Sequence, residues 1–128
     1  MQQERFSIKK RIHSFRYAFN GLSLFLKQEH NARIHVIASV FVVVVGFICR
    51  LSTLEWLFIV IAIGLVFAAE IFNTALEAIC DLVHPSYHDK VKKIKDLAAG
   101  TVLVCAFVAL CIGLIIFIPH LFAIIKYR

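Results

Sequence analysis

Two prolines, five glycines and one tryptophan are all that punctuate a chain of 128 residues, and only 17% of those residues are charged. So few breakers exclude a loop-rich or multidomain chain, and the length allows one domain at most. The scarcity of charge stands against 61% hydrophobic residues, which excludes disorder. It also fits poorly with a small soluble domain, which buries only part of its surface. A lipid bilayer is the solvent such a composition demands.

Other absences narrow the chemistry. No GxxxxGK[ST] or GxGxxG segment occurs, so neither a P-loop nor a Rossmann phosphate cradle is encoded. The four cysteines (Cys49, Cys80, Cys105, Cys111) show no CxxC spacing. They fall in or beside apolar runs and read as small membrane-helix residues, neither disulfides nor metal ligands. The six histidines are scattered, with His35 and His120 at positions that suit helix boundaries. The first 33 residues contain no apolar h-region and no small-residue cleavage site, so the chain is expected to remain intact.

The formal charge of +6 is distributed before and between the apolar runs. Basic residues there meet lipid headgroups or nucleotide phosphates, and no nucleic-acid partner is expected.

What is present is a succession of helices. Ile8, Ile12, Phe15, Phe19, Leu22 and Leu26 recur at helical spacing and form one apolar face, opposed by Lys9, Arg16, Asn20 and Lys27. This pattern predicts an amphipathic helix on the membrane surface at about residues 5–28. The apolar runs predict transmembrane helices at about 33–50, 55–80 and 97–118. Ser52-Thr53-Leu54-Glu55 matches a capping box, giving a tight hairpin between the first two spans. A polar loop is expected over 81–96, with Lys95-Asp96 opening the third helix and Pro119 kinking or ending it. The fold class is an all-α membrane protein, one domain over 1–128.

Eleven of the fourteen Lys and Arg residues precede the first span or follow the second; three lie elsewhere. The positive-inside rule then predicts a multi-pass protein with a cytoplasmic N-terminus and an external C-terminus.

The second span carries the chemistry. Glu70, Asn73, Glu77 and Asp81 stand at roughly 0°, 300°, 340° and 20° on a helical wheel, one polar stripe descending toward the 81–96 segment. A charge at mid-membrane costs ~2.5–3.5 kcal/mol on insertion scales, and passive anchoring offers nothing to offset it. An interhelical polar seam is the bland reading. An ion-coupled transporter subunit is a second, but the third span holds no ionisable group to continue a pathway. A catalytic site is the third. Paired carboxylates suit Mg²⁺, which takes oxygen ligands and leaves room for phosphates, and one carboxylate can act as a general base.

The pattern ExxNxxxExxxD over Glu70–Asp81, followed by Tyr87-His88 and by Lys95-Asp96, resembles the bacterial integral-membrane diacylglycerol kinase/undecaprenol kinase family. The similarity extends over nearly the whole chain. It implies an ATP-dependent lipid kinase of the bacterial cytoplasmic (inner) membrane, a homotrimer with active sites at subunit interfaces, whose partners are MgATP, a membrane lipid alcohol and the bilayer. It implies Glu70 as general base, Glu29 and Glu77 as carboxylates binding Mg²⁺ with ATP, and Asn73 and Asp81 as supporting residues. Lys10, Tyr17, Ser86, Tyr87, His88, Lys95 and Asp96 match nucleotide-contact positions. Glu29-His30-Asn31-Ala32-Arg33-Ile34-His35 and Lys95-Asp96-Leu97-Ala98-Ala99-Gly100 look more like the undecaprenol branch. Undecaprenol is therefore the expected acceptor, with diacylglycerol, giving phosphatidic acid, as the alternative.

Overall fold

The computed structural model describes residues 8–126, with side chains from Ile12 onward. Four helices follow one another: α1 (Ile8–Gln28), α2 (His30–Cys49), α3 (Thr53–Val83) and α4 (Asp89–Lys126). The last three are each long and apolar enough to cross a membrane.

The α1–α2 corner turns on one residue. Glu29 is extended (φ −91°, ψ 121°) and serves as the N-cap of α2 without a side-chain capping bond. Arg33, one turn into α2, reaches back and donates to the carbonyls of Leu26 and Lys27. A cation there satisfies orphan acceptors and opposes the negative end of the α1 dipole. Phe25 and Ala32 are buried at this corner, whereas Ile12, Phe15 and Phe19 are exposed. The apolar stripe of α1 is thus left free of its own chain, as an interfacial helix requires.

At the other end of α2, Arg50 adopts the left-handed conformation (φ 54°, ψ 50°), and its N–H bonds back to the last turn. The capping box is formed: Glu55 N–H donates to Ser52 Oγ, and Ser52 N–H donates to Glu55 Oε2 at 2.7 Å. Gly46 makes this hairpin possible. A Cβ there would stand 2.9 Å from the Trp56 ring, which itself packs on Phe47 with centroids 4.8 Å apart.

The helix α3 packs most closely on α4, through two small apolar clusters. Leu51, Ile59 and Ile116 form one; Val66, Ala69 and Cys105 form the other. The four cysteines are free thiols.

Two expectations require correction. The break expected over 81–96 spans only 84–88, because Asp81–Val83 complete α3 and α4 already starts at Asp89, two turns before Lys95-Asp96. Pro85 explains the stop: the residue before a proline is driven out of the α region, and His84 sits at φ −145°. Nor does Pro119 end the last helix, which continues to Lys126. Neighbouring helices make an internal proline tolerable in a membrane helix.

Candidate active site

The polar stripe of α3 is continuous, and each member meets a different partner. Glu70 is buried at 3% exposure, and its Oε1 lies within hydrogen-bonding distance of His35 Nε2 of α2, at 3.1 Å. One turn on, Asn73 Nδ2 donates to Glu77 Oε1 at 3.0 Å. Asn73 Oδ1 is the only buried side-chain polar atom among the described residues that lacks a partner. Another turn on, Asp81 Oδ1 accepts from Lys95 Nζ of α4 at 2.6 Å. That bond, on a lysine lying before the apolar run, holds its ammonium pKa above the ordinary value. The stripe is therefore a junction where α2, α3 and α4 all contribute polar groups.

Below the stripe, Asp81, Ser86, Tyr87, His88, Lys95 and Asp96 line one polar pocket of about 280 Å³. The short 84–88 turn curls over it: Ser86 Oγ and carbonyl oxygen both lie within hydrogen-bonding distance of His84 Nδ1, at 3.1 and 3.0 Å. The Tyr87 hydroxyl donates to Asp89 Oδ1 at 2.9 Å. The rings of His84 and His88 stand 4.9 Å apart. Lys92, Lys95 and the Ser86 and Tyr87 hydroxyls share this hollow with the carboxylates of Asp81 and Asp96, a mixture suited to a polyphosphate carried with a cation.

Three sequence candidates stand outside both the stripe and this pocket. Tyr17 lies exposed on α1. Glu29 occupies the α1–α2 corner. Lys10 belongs to the first turn of α1, and its side chain lies outside the described residues. Among the described residues no group of three or more His, Cys, Asp and Glu is close enough to hold a metal ion. Glu29 and Glu77 are nonetheless of the right chemistry for Mg²⁺, which needs only one or two carboxylates when phosphates and water complete its shell.

The residue that the sequence does not mark out is His35. It also lines an apolar groove of about 410 Å³ bounded by α2, α3 and α4, where His35 and Ser39 are the polar members. A usable signal is register. His35 lies fourteen residues before the end of α2 and Glu70 seventeen after the start of α3. At ~1.5 Å per residue the two reach similar depth below the hairpin.

A buried carboxylate bonded to a residue of an apolar groove, at the head of a polar stripe that runs down to a polar hollow, is the arrangement expected where a lipid meets a polar co-substrate. Comparison with known proteins agrees. The family model described as prokaryotic diacylglycerol kinase matches residues 16–117. The chain belongs to that family. It is a lipid kinase and an integral membrane protein, and the transporter reading is set aside. Among curated relatives, the undecaprenol kinase of Bacillus subtilis is 37% identical over 120 residues, covering 94% of this chain and 98% of its own length. The diacylglycerol kinase of Synechocystis is 37% identical over 87% of this chain, which spans 64% of that relative. The diacylglycerol kinase of Escherichia coli K12 is 26% identical over 81% of this chain and 85% of its own length.

Proposed function

We propose that this lipid kinase transfers the γ-phosphoryl group of MgATP to undecaprenol, yielding undecaprenyl phosphate. The observation that carries the chemistry is Glu70: buried, with one carboxylate oxygen engaged, at the boundary between apolar groove and polar stripe. Glu70 takes the proton of the lipid hydroxyl as that oxygen bonds to phosphorus and the bond to ADP breaks. Such a transfer depends on alignment and charge neutralisation. Lys95 faces the phosphates from the pocket, and the Ser86–His88 turn and Asp96 bind the rest of the nucleotide, with Tyr17 and Lys10 contributing from α1. Glu29 and Glu77 would hold the Mg²⁺ that accompanies ATP, which when bound would supply neutralisation of phosphate charge. Asn73 fixes Glu77 through its amide, and Asp81 fixes Lys95. The acceptor never enters water, because its hydroxyl meets Glu70 from within the bilayer.

The choice of undecaprenol is supported by the high coverage of the Bacillus relative and by Lys95-Asp96-Leu97-Ala98-Ala99-Gly100. Diacylglycerol is the second reading, favoured by the names of the other relatives. The basic residues around α1 and the 84–96 segment support a cytoplasmic N-terminus in the bacterial inner membrane. The largely exposed apolar surface of a single chain supports assembly into a homotrimer. Transfer of labelled γ-phosphate into a panel of lipid alcohols tests the proposal. Undecaprenol is expected to outrank diacylglycerol, and the reverse order transfers the assignment to diacylglycerol.

A further inference from the structure

We propose that His35 is a positioning residue for phosphoryl transfer, holding the Glu70 carboxylate so that only one of its oxygens faces the lipid hydroxyl. The inference rests on the reading of Glu70 as the base. An ionised carboxylate can only accept hydrogen bonds, so the 3.1 Å contact requires the hydrogen to sit on His35 Nε2. Glu70 Oε1 is then occupied, and Oε2 is left as the proton acceptor.

Other contacts do little to set this orientation. The flanking residues Val66 and Ala69 pack toward Cys105 of α4, on apolar surface that offers a carboxylate no donor. On α2 the buried residue near this depth is Ala32, too small to wedge a glutamate with three free torsions. His35 is the side chain that ties α2 to the stripe at this depth. It is also the group through which the apolar groove reaches Glu70, since it both lines the groove and bonds the carboxylate. A lipid hydroxyl arriving along the groove therefore meets a carboxylate already turned toward it. Preorganisation of this kind acts on the chemical step, because a misplaced base fails in the transition state while the substrates still bind.

The test compares His35→Leu, His35→Asn and His35→Gln in the full-length purified protein, using MgATP and undecaprenol, with and without Glu70→Gln. Leucine fills the space without a donor. Asparagine is polar but too short to span to Glu70, and it keeps the test open if the leucine variant does not fold. Glutamine places an amide N–H near the position of Nε2. With Glu70 intact, His35→Leu and His35→Asn are expected to lower kcat by about tenfold or more with little change in KM for MgATP. His35→Gln is expected to recover most of that loss. In the Glu70→Gln background, the same changes at His35 should alter the remaining rate by less than about twofold, as residues acting through one another do. Wild-type kcat in the folded asparagine variant, or equal losses with asparagine and glutamine, overturns the role of His35 while leaving Glu70 as base. Wild-type turnover in Glu70→Gln alone overturns the reading of Glu70 and the inference with it.

Discussion

The helix α3 carries a glutamate paired with a histidine at each of two depths, and the two pairs are bonded differently. Near its start, Glu55 bonds His120 of α4 at 2.9 Å; seventeen residues onward from the helix start, Glu70 bonds His35 of α2 at 3.1 Å. At Glu55 both oxygens are committed. Oε1 takes the bond from His120, and Oε2 takes both the backbone N–H and the hydroxyl of Ser52, each at 2.7 Å. That carboxylate closes a helix end and fastens α4 beyond Pro119, with three contacts shared between its two oxygens. At Glu70 a single oxygen is engaged although the side chain is more deeply buried. The oxygen that His35 leaves free is the one a site that must accept a proton has a use for. Glutamate and histidine together make a staple where their bonds are complete, and the proposed base is the glutamate whose bonds are not.

The contrast can be broken from either side. A large effect on nucleotide binding is expected at the two carboxylates assigned to Mg²⁺. Glu77→Gln and Glu29→Gln should each weaken MgATP binding by about tenfold or more, since an amide coordinates a hard cation less well than a carboxylate. Isothermal titration with and without Mg²⁺ measures this, and unchanged affinity in both folded variants removes the metal assignment. A smaller effect is expected at the Glu55 end, in stability alone. Gly46→Ala drives a methyl group to 2.9 Å from the Trp56 ring. Overpacking of that kind costs about 1–3 kcal/mol, against a helix-propensity gain of about 1 kcal/mol. The thermal midpoint in detergent should therefore fall while turnover of the folded protein stays near wild type. A midpoint that rises would show that the hairpin yields easily and that this end is not rigid.

The parts legible in the sequence were those set by local rules. Apolar runs gave three helices able to span a bilayer, the Ser52–Glu55 spacing gave the capping box, and a helical wheel gave the stripe on α3. The 84–88 turn was overestimated because charge was read as loop. Lys90, Lys92, Lys93 and Lys95 in fact ride on helix α4 ahead of its apolar portion, since a charged residue outside the bilayer has no reason to leave a helix. Of the two outcomes expected at Pro119, a kink or an end, the end does not occur: proline breaks an isolated helix, but here α4 continues to Lys126 and His120 bonds Glu55. The role of His35 was not legible locally at all, because its partner lies thirty-five residues away on another helix. Only the matched depth of the two residues across the hairpin carried that information. His120 and Glu55 share the same property across the α3–α4 hairpin, so depth matching identifies both pairs but does not say which one is catalytic.

The measurement that separates them is single-turnover transfer of labelled γ-phosphate to the lipid by Glu70→Gln and Glu55→Gln, made beside the wild type at saturating MgATP. Both changes are nearly isosteric and open no cavity. Glu70→Gln is expected to slow transfer by about a hundredfold or more, the scale on which a positioned base contributes, while MgATP affinity stays near wild type. Glu55→Gln is expected to transfer within about threefold of wild type, because loss of a general base acts on the chemical step and loss of a cap does not. Equal transfer by the two variants, or wild-type transfer by Glu70→Gln, would contradict the assignment of the buried end of α3 as the reaction centre.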